Sequence, residues 1–179
     1  MSEDDDLERR RFQLAGPERV ESVLDWIARQ IAAVDEDDRK IVGVRRRGVP
    51  LAERLAERLR HDGSVQELAL KRYADDLTLL HDRPALEEDP ELDLDGRSVL
   101  LVDDVLYTGR TLFRAAQIAT TEGARRVRTA VLCSRGPNEV PVTADVTGLR
   151  LDVGKEHAVE VHTPPYEDKL GVYIVQRPE

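Results

Sequence analysis

Asp103 and Asp104 stand side by side just after the apolar run Val99-Leu-Leu-Val102, and Tyr107-Thr108-Gly109-Arg110-Thr111 follows closely. The run, made of β-branched and leucine side chains, reads as a buried parallel strand. In an open α/β sheet, ligands bind outside the carboxyl ends of the strands. Neither carboxylate is expected in the core, because burying an unpaired charge is costly. Adjacent carboxylates suit vicinal hydroxyls, which donate to them, or a hydrated Mg²⁺. The Thr-Gly-x-Thr turn offers backbone N–H groups, hydroxyls and a helix N-terminus to one anion, a phosphate for preference. Hydroxyls beside a phosphate describe a ribose 5-phosphate site. A capped helix after a core strand would account for the threonine but not for the paired aspartates.

A second loop has the same placement. Ile41-Val-Gly-Val44 reads as a short strand, Arg45-Arg46-Arg47-Gly48 as the loop after it, and Pro50 to about Arg60 as the next helix. Three consecutive arginines at a strand's carboxyl end repel one another unless an anion lies between them. Pyrophosphate is such an anion, and Gly48 lets the backbone come close to it.

The elements that must position these loops follow from periodicity. Pro17 to about Ala33 is predicted as an amphipathic helix, with Val20, Val23, Leu24, Ile27 and Ile31 on one face and Pro17 in the first turn. The helix from Pro50 has Leu51, Leu55 and Leu59 as its stripe. Val65 to Tyr73 alternates and reads as a strand; residues 75–95, polar and proline-containing, read as a long loop or hairpin arm. Ser98 to Val102 is the strand before the aspartates, and Leu112 to about Thr120 the helix after them. Val127 to Cys133, Ala158 to Val161 and Val172 to Val175 are further strands. Strands alternating with helices predict an α/β fold with a mostly parallel central sheet flanked by helices. Residues 1–14 read as an acidic flexible tail and residues 15–179 as a single domain.

Composition narrows the classes. Hydrophobic residues make up 40% of the 179, but aromatics only 4%, so the core must be built from Leu, Val, Ile and Ala. A net charge of -9 argues against nucleic-acid binding through bulk charge and leaves only a local basic patch. The single cysteine, Cys133, lies in an apolar run; it excludes an internal disulfide, fits a reducing compartment and reads as a packing residue. The acidic N-terminus does not resemble a signal peptide, and no apolar run reaches the length of a membrane span. A cytoplasmic protein is expected. His61, His81, His157 and His162 lack metal-ligand spacing, so no metal bound directly by the protein is expected.

The strand, the aspartates and the loop together resemble the PRPP-binding motif of type I phosphoribosyltransferases. The wording Asp103-Asp-Val-Leu-Tyr-Thr-Gly-Arg-Thr111 is similar to that of the PyrR family, uracil phosphoribosyltransferases that also regulate pyrimidine genes by binding mRNA. Arg45-Arg46-Arg47-Gly48 is similar to that family's pyrophosphate loop, Lys-Thr-Arg-Gly, with Arg46 in place of Thr. Arg72-Tyr-Ala-Asp-Asp-Leu77 is similar to Leu-Tyr-Arg-Asp-Asp-Leu in the loop that closes over PRPP. Ala74 replaces the arginine there, and Arg72 stands two residues earlier. Ser134 to Gly148 keeps the family's frame of Arg-Gly, Glu, Pro, Ala-Asp and Gly. Asn138 and Thr143 replace arginines in the region the family uses for RNA, and Leu149 to Glu156 departs from its Lys-Asn-x-Pro-Thr-Ser run. The resemblance spans roughly residues 15–165.

The resemblance implies a type I phosphoribosyltransferase fold with a small hood, acting on PRPP as its Mg²⁺ complex and on uracil, and releasing UMP and pyrophosphate. It assigns Thr108, Gly109, Arg110 and Thr111 to the 5-phosphate and Asp103 and Asp104 to the 2- and 3-hydroxyls. Arg46, Arg47 and Gly48 go to pyrophosphate, with Arg47 counted as catalytic beside the aspartates. Arg72, Tyr107 and Arg135 fall near the nucleotide and the hood. A homodimer or tetramer is expected. The rival readings are a nucleotide-sensing regulator that binds mRNA with weak or no catalysis, and a phosphoribosyltransferase for another base.

Overall fold

Side chains alternate across a strand, and here both halves of the alternation are apolar. In β2 (Arg39–Val44) and β4 (Ser98–Leu106), Ile41, Leu100 and Val102 enter one core, while Val42, Val44, Val99 and Leu101 enter another. Strands apolar on both sides must be covered on both faces. β3 (Gln66–Leu68), β5 (Arg126–Arg135) and β6 (Val146–Leu151) complete a five-stranded sheet in the order β3-β2-β4-β5-β6, with every neighbouring pair parallel. α1 (Pro17–Ala32) and α2 (Gly48–Arg58) cover the first face; α3 (Arg110–Thr121) covers the second. This computed structural model describes residues 11–34, 38–70, 92–136 and 138–177.

α1 buries the predicted stripe of Val20, Val23, Leu24, Ile27 and Ile31. Its outer edge is tied to α2 by Arg54 to Glu21 at 2.8 Å and Arg58 to Asp25 at 2.7 Å. A separate antiparallel sheet, in the order β1-β8-β7, is formed by β1 (Arg11–Ala15), β7 (His157–His162) and β8 (Gly171–Gln176). Val161 and Val172 of this small sheet, with Leu170 just before β8, join the first core, which seats the sheet as a hood beside the main one. Among the described residues, no helix is long and apolar enough to cross a membrane.

Three expectations change. Residues 11–14, expected in the tail, form most of β1, because β8 offers them an antiparallel partner from Val172 to Val175. β6 was not predicted: its Val-Thr-Gly-Leu-Arg-Leu sequence is short and carries a glycine inside it. Gly148 belongs there because a Cβ would lie 2.5 Å from Val23 of α1 and 2.7 Å from the Leu132 carbonyl oxygen. β4 does not end at Val102 but runs on through both aspartates to Leu106. The predicted strand from Val65 is described only as Gln66–Leu68, and most of the expected 75–95 loop lies outside the described residues.

Candidate active site

The extension of β4 separates the fates of the two aspartates. Asp103 pairs in register with Val131 of β5 and is 7% exposed, so one of the carboxylates expected at the surface is a core residue. Its Oδ1 accepts the Asp104 N–H at 2.9 Å. Burial, and then the charge of Asp104 beside it, pushes the Asp103 carboxyl well above its ordinary range. A neutral acid is what such a position tolerates. Asp104 is only half-buried, with Oδ1 accepting the Val105 N–H at 2.8 Å. The strand end therefore presents Asp104 to the site, with the buried Asp103 carboxyl behind it.

Beyond the strand, Gly109 is the N-cap of α3 with φ +85°, a conformation that favours glycine. It is also covered: a Cβ would lie 2.5 Å from Val142 and 2.9 Å from Val140. Gly109 has no side chain to cap α3; the Arg110 N–H at the start of the helix donates to Thr108 Oγ1 at 3.4 Å, a long contact that an anion at the helix N-terminus can replace. The loop after β5 folds over this turn. The Glu139 N–H donates to the Thr108 carbonyl at 2.8 Å, and the Glu139 carboxylate accepts from Arg110 Nε at 2.9 Å. Asn138, one of the residues standing where the family has arginine, donates its amide to the Val142 carbonyl and shapes that loop.

The three arginines of the second loop do not wait for one shared anion. Arg45 is paired with Glu67, its Nε at 3.0 Å and Nη2 at 2.6 Å. The Arg46 guanidinium lies 4.9 Å from the centre of the Tyr166 ring. Arg47 donates from Nε and Nη2 to Glu167 in the turn after β7. Two carboxylates and an aromatic ring thus relieve the repulsion that the sequence alone assigned to a ligand. The Glu167 hydrogen bond raises the Arg47 pKa against the effect of burial, and the charges of Glu167 and Asp104 add to it. For Glu167, burial pushes the carboxyl up, but hydrogen bonds from Arg47 and the Thr163 N–H outweigh it and hold the group below its ordinary value. Gly48 is buried against β4, where a Cβ would lie 2.4 Å from the Val102 carbonyl oxygen.

Tyr107 and Arg135 meet, the guanidinium carbon 4.2 Å from the ring centre, with Arg177 of the hood 5.5 Å from the same ring. Arg135 is 2% exposed and donates from Nη2 to the Gly154 carbonyl at 2.8 Å. Arg72 lies outside the described residues. Cys133 is fully buried, its thiol pushed up to about 12 by burial and by Asp104. Glu139, Thr163, Tyr166 and Glu167 were not anticipated as site residues. Glu139 sat inside the family frame without an assigned role; the hood residues left no local signal, since only tertiary packing brings them to the arginine loop.

A parallel sheet whose acidic strand end leads through a Thr-Gly turn into a helix N-terminus, with a small antiparallel hood beside it, defines a type I phosphoribosyltransferase domain. The family model for the phosphoribosyl transferase domain matches residues 14–169. The Bifunctional protein PyrR of Roseiflexus sp. (strain RS-1) is 36% identical over 176 residues, covering 92% of this chain and 94% of that protein. The Bifunctional protein PyrR of Clostridium perfringens (strain 13 / Type A) is 39% identical over 146 residues, covering 76% and 82%. Among solved structures, a hypoxanthine-guanine-xanthine phosphoribosyltransferase superposes with a TM-score of 0.68 at 17% identity over 97% of this chain and 96% of the other. HGPRT-ase from Leishmania tarentolae in complex with GMP gives 0.67 at 16%, over 94% and 98%. The structural likenesses speak for the fold alone. The chain belongs to the phosphoribosyltransferase family and, within it, to the PyrR proteins.

Proposed function

We propose that this protein transfers the 5-phosphoribosyl group of PRPP to uracil, forming UMP and releasing pyrophosphate. The observation that carries the reading is the docking of the Arg47–Gly48 turn on β4 at Val102 and Asp103, which sets the arginine loop beside Asp104 and the strand end that leads to the α3 N-terminus. The first N–H groups of α3 and the hydroxyls of Thr108 and Thr111 would hold the 5-phosphate. Arg110, already paired with Glu139, would add charge at the rim. Asp104 would accept from the ribose hydroxyls and favour the positive charge that develops on the ring as pyrophosphate leaves. Asp103, buried and accepting the Asp104 N–H, would support Asp104 from behind. Arg46 and Arg47 would take the departing pyrophosphate. Mg²⁺ would arrive as part of the substrate, on the oxygens of PRPP, and would keep several of its waters. Positioning and charge complementarity would supply most of the acceleration.

A PRPP-dependent assay with uracil and Mg²⁺, following UMP, tests this directly. Turnover supports the reading and means that Ala74 is compensated. Tight binding of PRPP or UMP without turnover on uracil points to a sensor or to another base.

A second reading, pyrimidine-responsive binding of mRNA, is favoured by the bifunctional name its relatives share and by one surface feature. Trp26, 40% exposed, stands with Arg19 and Arg29 in a groove between α1 and β6. An aromatic face between cations suits unpaired bases and their phosphates. Loss of RNA retention on Trp26→Ala, with catalysis unchanged, would support both activities in one chain.

A further inference from the structure

Two adjacent residues of the turn after β7 engage two adjacent arginines of the loop after β2. The Glu167 carboxylate takes both Nε and Nη2 of Arg47, and one residue earlier the Tyr166 ring stacks with Arg46. β2 and β7 belong to different sheets, so these contacts join the hood to the arginine loop.

The two contacts differ in what they leave available. Stacking uses the face of a guanidinium and leaves its N–H edges free. Arg46 makes no hydrogen bond from its side chain among the described residues. A two-point carboxylate contact uses the donor edge itself, the edge a phosphate takes. Pyrophosphate and Glu167 therefore compete for the same side of Arg47. The exchange is accessible, because the Arg47 and Glu167 side chains keep 41% and 21% of their exposure. Nor does it strand the carboxylate. Glu167 Oε2 also accepts the Thr163 N–H at 2.8 Å, and the turn is closed by the Tyr166 and Glu167 N–H groups donating to the Thr163 carbonyl at 3.0 and 3.2 Å.

We infer that Glu167 is a positioning residue that occupies Arg47 as an internal anion until pyrophosphate, free or within PRPP, displaces it, while Tyr166 holds Arg46 with its donors available. This rests on the assignment of the Arg45–Gly48 loop to pyrophosphate. The effect is selective. Binding pyrophosphate breaks the Arg47–Glu167 pair; binding a nucleoside monophosphate does not touch it.

Calorimetric titration of the full chain with magnesium pyrophosphate, and separately with UMP, tests the inference. Glu167→Gln is expected to tighten pyrophosphate binding by roughly threefold to tenfold and to leave UMP unchanged. Glu167→Asp keeps the charge and should return pyrophosphate affinity toward wild type. In turnover, Glu167→Gln should lower KM for PRPP and also lower kcat, as pyrophosphate leaves more slowly. Tyr166→Leu should weaken pyrophosphate where Tyr166→Phe does not. Should Glu167→Gln fail to fold, Glu167→Ala is read in the same titrations with the same expectation. If Arg47→Gln weakens pyrophosphate but Glu167→Gln leaves it unchanged or weaker, the inference is overturned and the loop assignment stands. If Arg47→Gln leaves pyrophosphate affinity untouched, the loop assignment fails and takes the inference with it.

Discussion

Gly48 sits so close to Val102 that a methyl group on its Cα would come within 2.4 Å of the Val102 carbonyl oxygen and 3.2 Å of the Asp103 Cα. The arginine loop is thus docked directly on the strand that carries the aspartates. The glycine serves the meeting of the loop with β4, a role that the sequence, which suggested the approach of a ligand, did not disclose.

Gly48→Ala should therefore lift the start of α2 off β4 and separate Arg47 from Asp104. The backbone on both sides resists, so a destabilisation of about 1–3 kcal/mol is expected. Urea unfolding followed by circular dichroism measures it. An unchanged midpoint would mean that the two backbones can part at no cost.

The two aspartates should respond unequally to replacement by asparagine. Asp104→Asn is expected to lower kcat/KM for PRPP at least roughly tenfold, because it removes the charge facing the reacting ring. Asp103→Asn replaces a buried carboxyl whose pKa burial raises with a neutral amide of the same shape and should keep kcat/KM within about threefold. Steady-state kinetics on both variants separates them, and equal losses would mean that Asp103 is ionised in the working enzyme.

Asp103 also sets a pH dependence. Its carboxyl is raised in the folded chain above the ordinary value of 3.8. The folded state then binds the proton more tightly than the unfolded state does. Its contribution is fully present below the ordinary carboxyl range and is lost as pH rises through the folded-state value. Asp103→Asn removes that loss, so the stability of the variant relative to wild type should increase with pH above 3.8. Denaturant midpoints measured from weakly acidic to alkaline pH check the sign.

Arg135 is buried between the Tyr107 ring and the Gly154 carbonyl. Arg135→Met keeps the stem but strands that carbonyl and removes the stack, which should cost about 1–3 kcal/mol. Arg135→Lys should not rescue it, since an ammonium lacks the planar face. Thermal unfolding of both variants checks this, and a lysine variant as stable as wild type would reduce Arg135 to a point charge.

Cys133 should be inert in the native protein. Its thiol is fully buried and raised to about 12, and reactivity follows the exposed thiolate. An aromatic disulfide reagent at neutral pH should label it only after denaturant is added. Rapid labelling of the native chain would mean that β5 opens readily.

The strands and helices that carry the chemistry were legible because their signals are local. The apolar run before Asp103, the stripe of α1 and the strand–loop–helix order at Arg45 to Gly48 and at Tyr107 to Thr111 each depend on neighbours a few residues away. β1 and β6 were not legible, since an edge strand is defined by the partner it finds, Val172 to Val175 for one and Ala130 to Arg135 for the other. The chain's wording alone determined the family, the two loops that follow β2 and β4, and the residue types in them. The electrical state of those residues was a tertiary matter. Asp103 and Asp104 are equivalent as letters, and only the continuation of β4 buries one, raising its carboxyl pKa, and leaves the other half-buried at the strand end. The three arginines look alike as well. Packing gave Arg45 to Glu67, Arg46 to Tyr166 and Arg47 to Glu167. Charge is set by solvent access and by partners distant in sequence, and neither is written in local spacing.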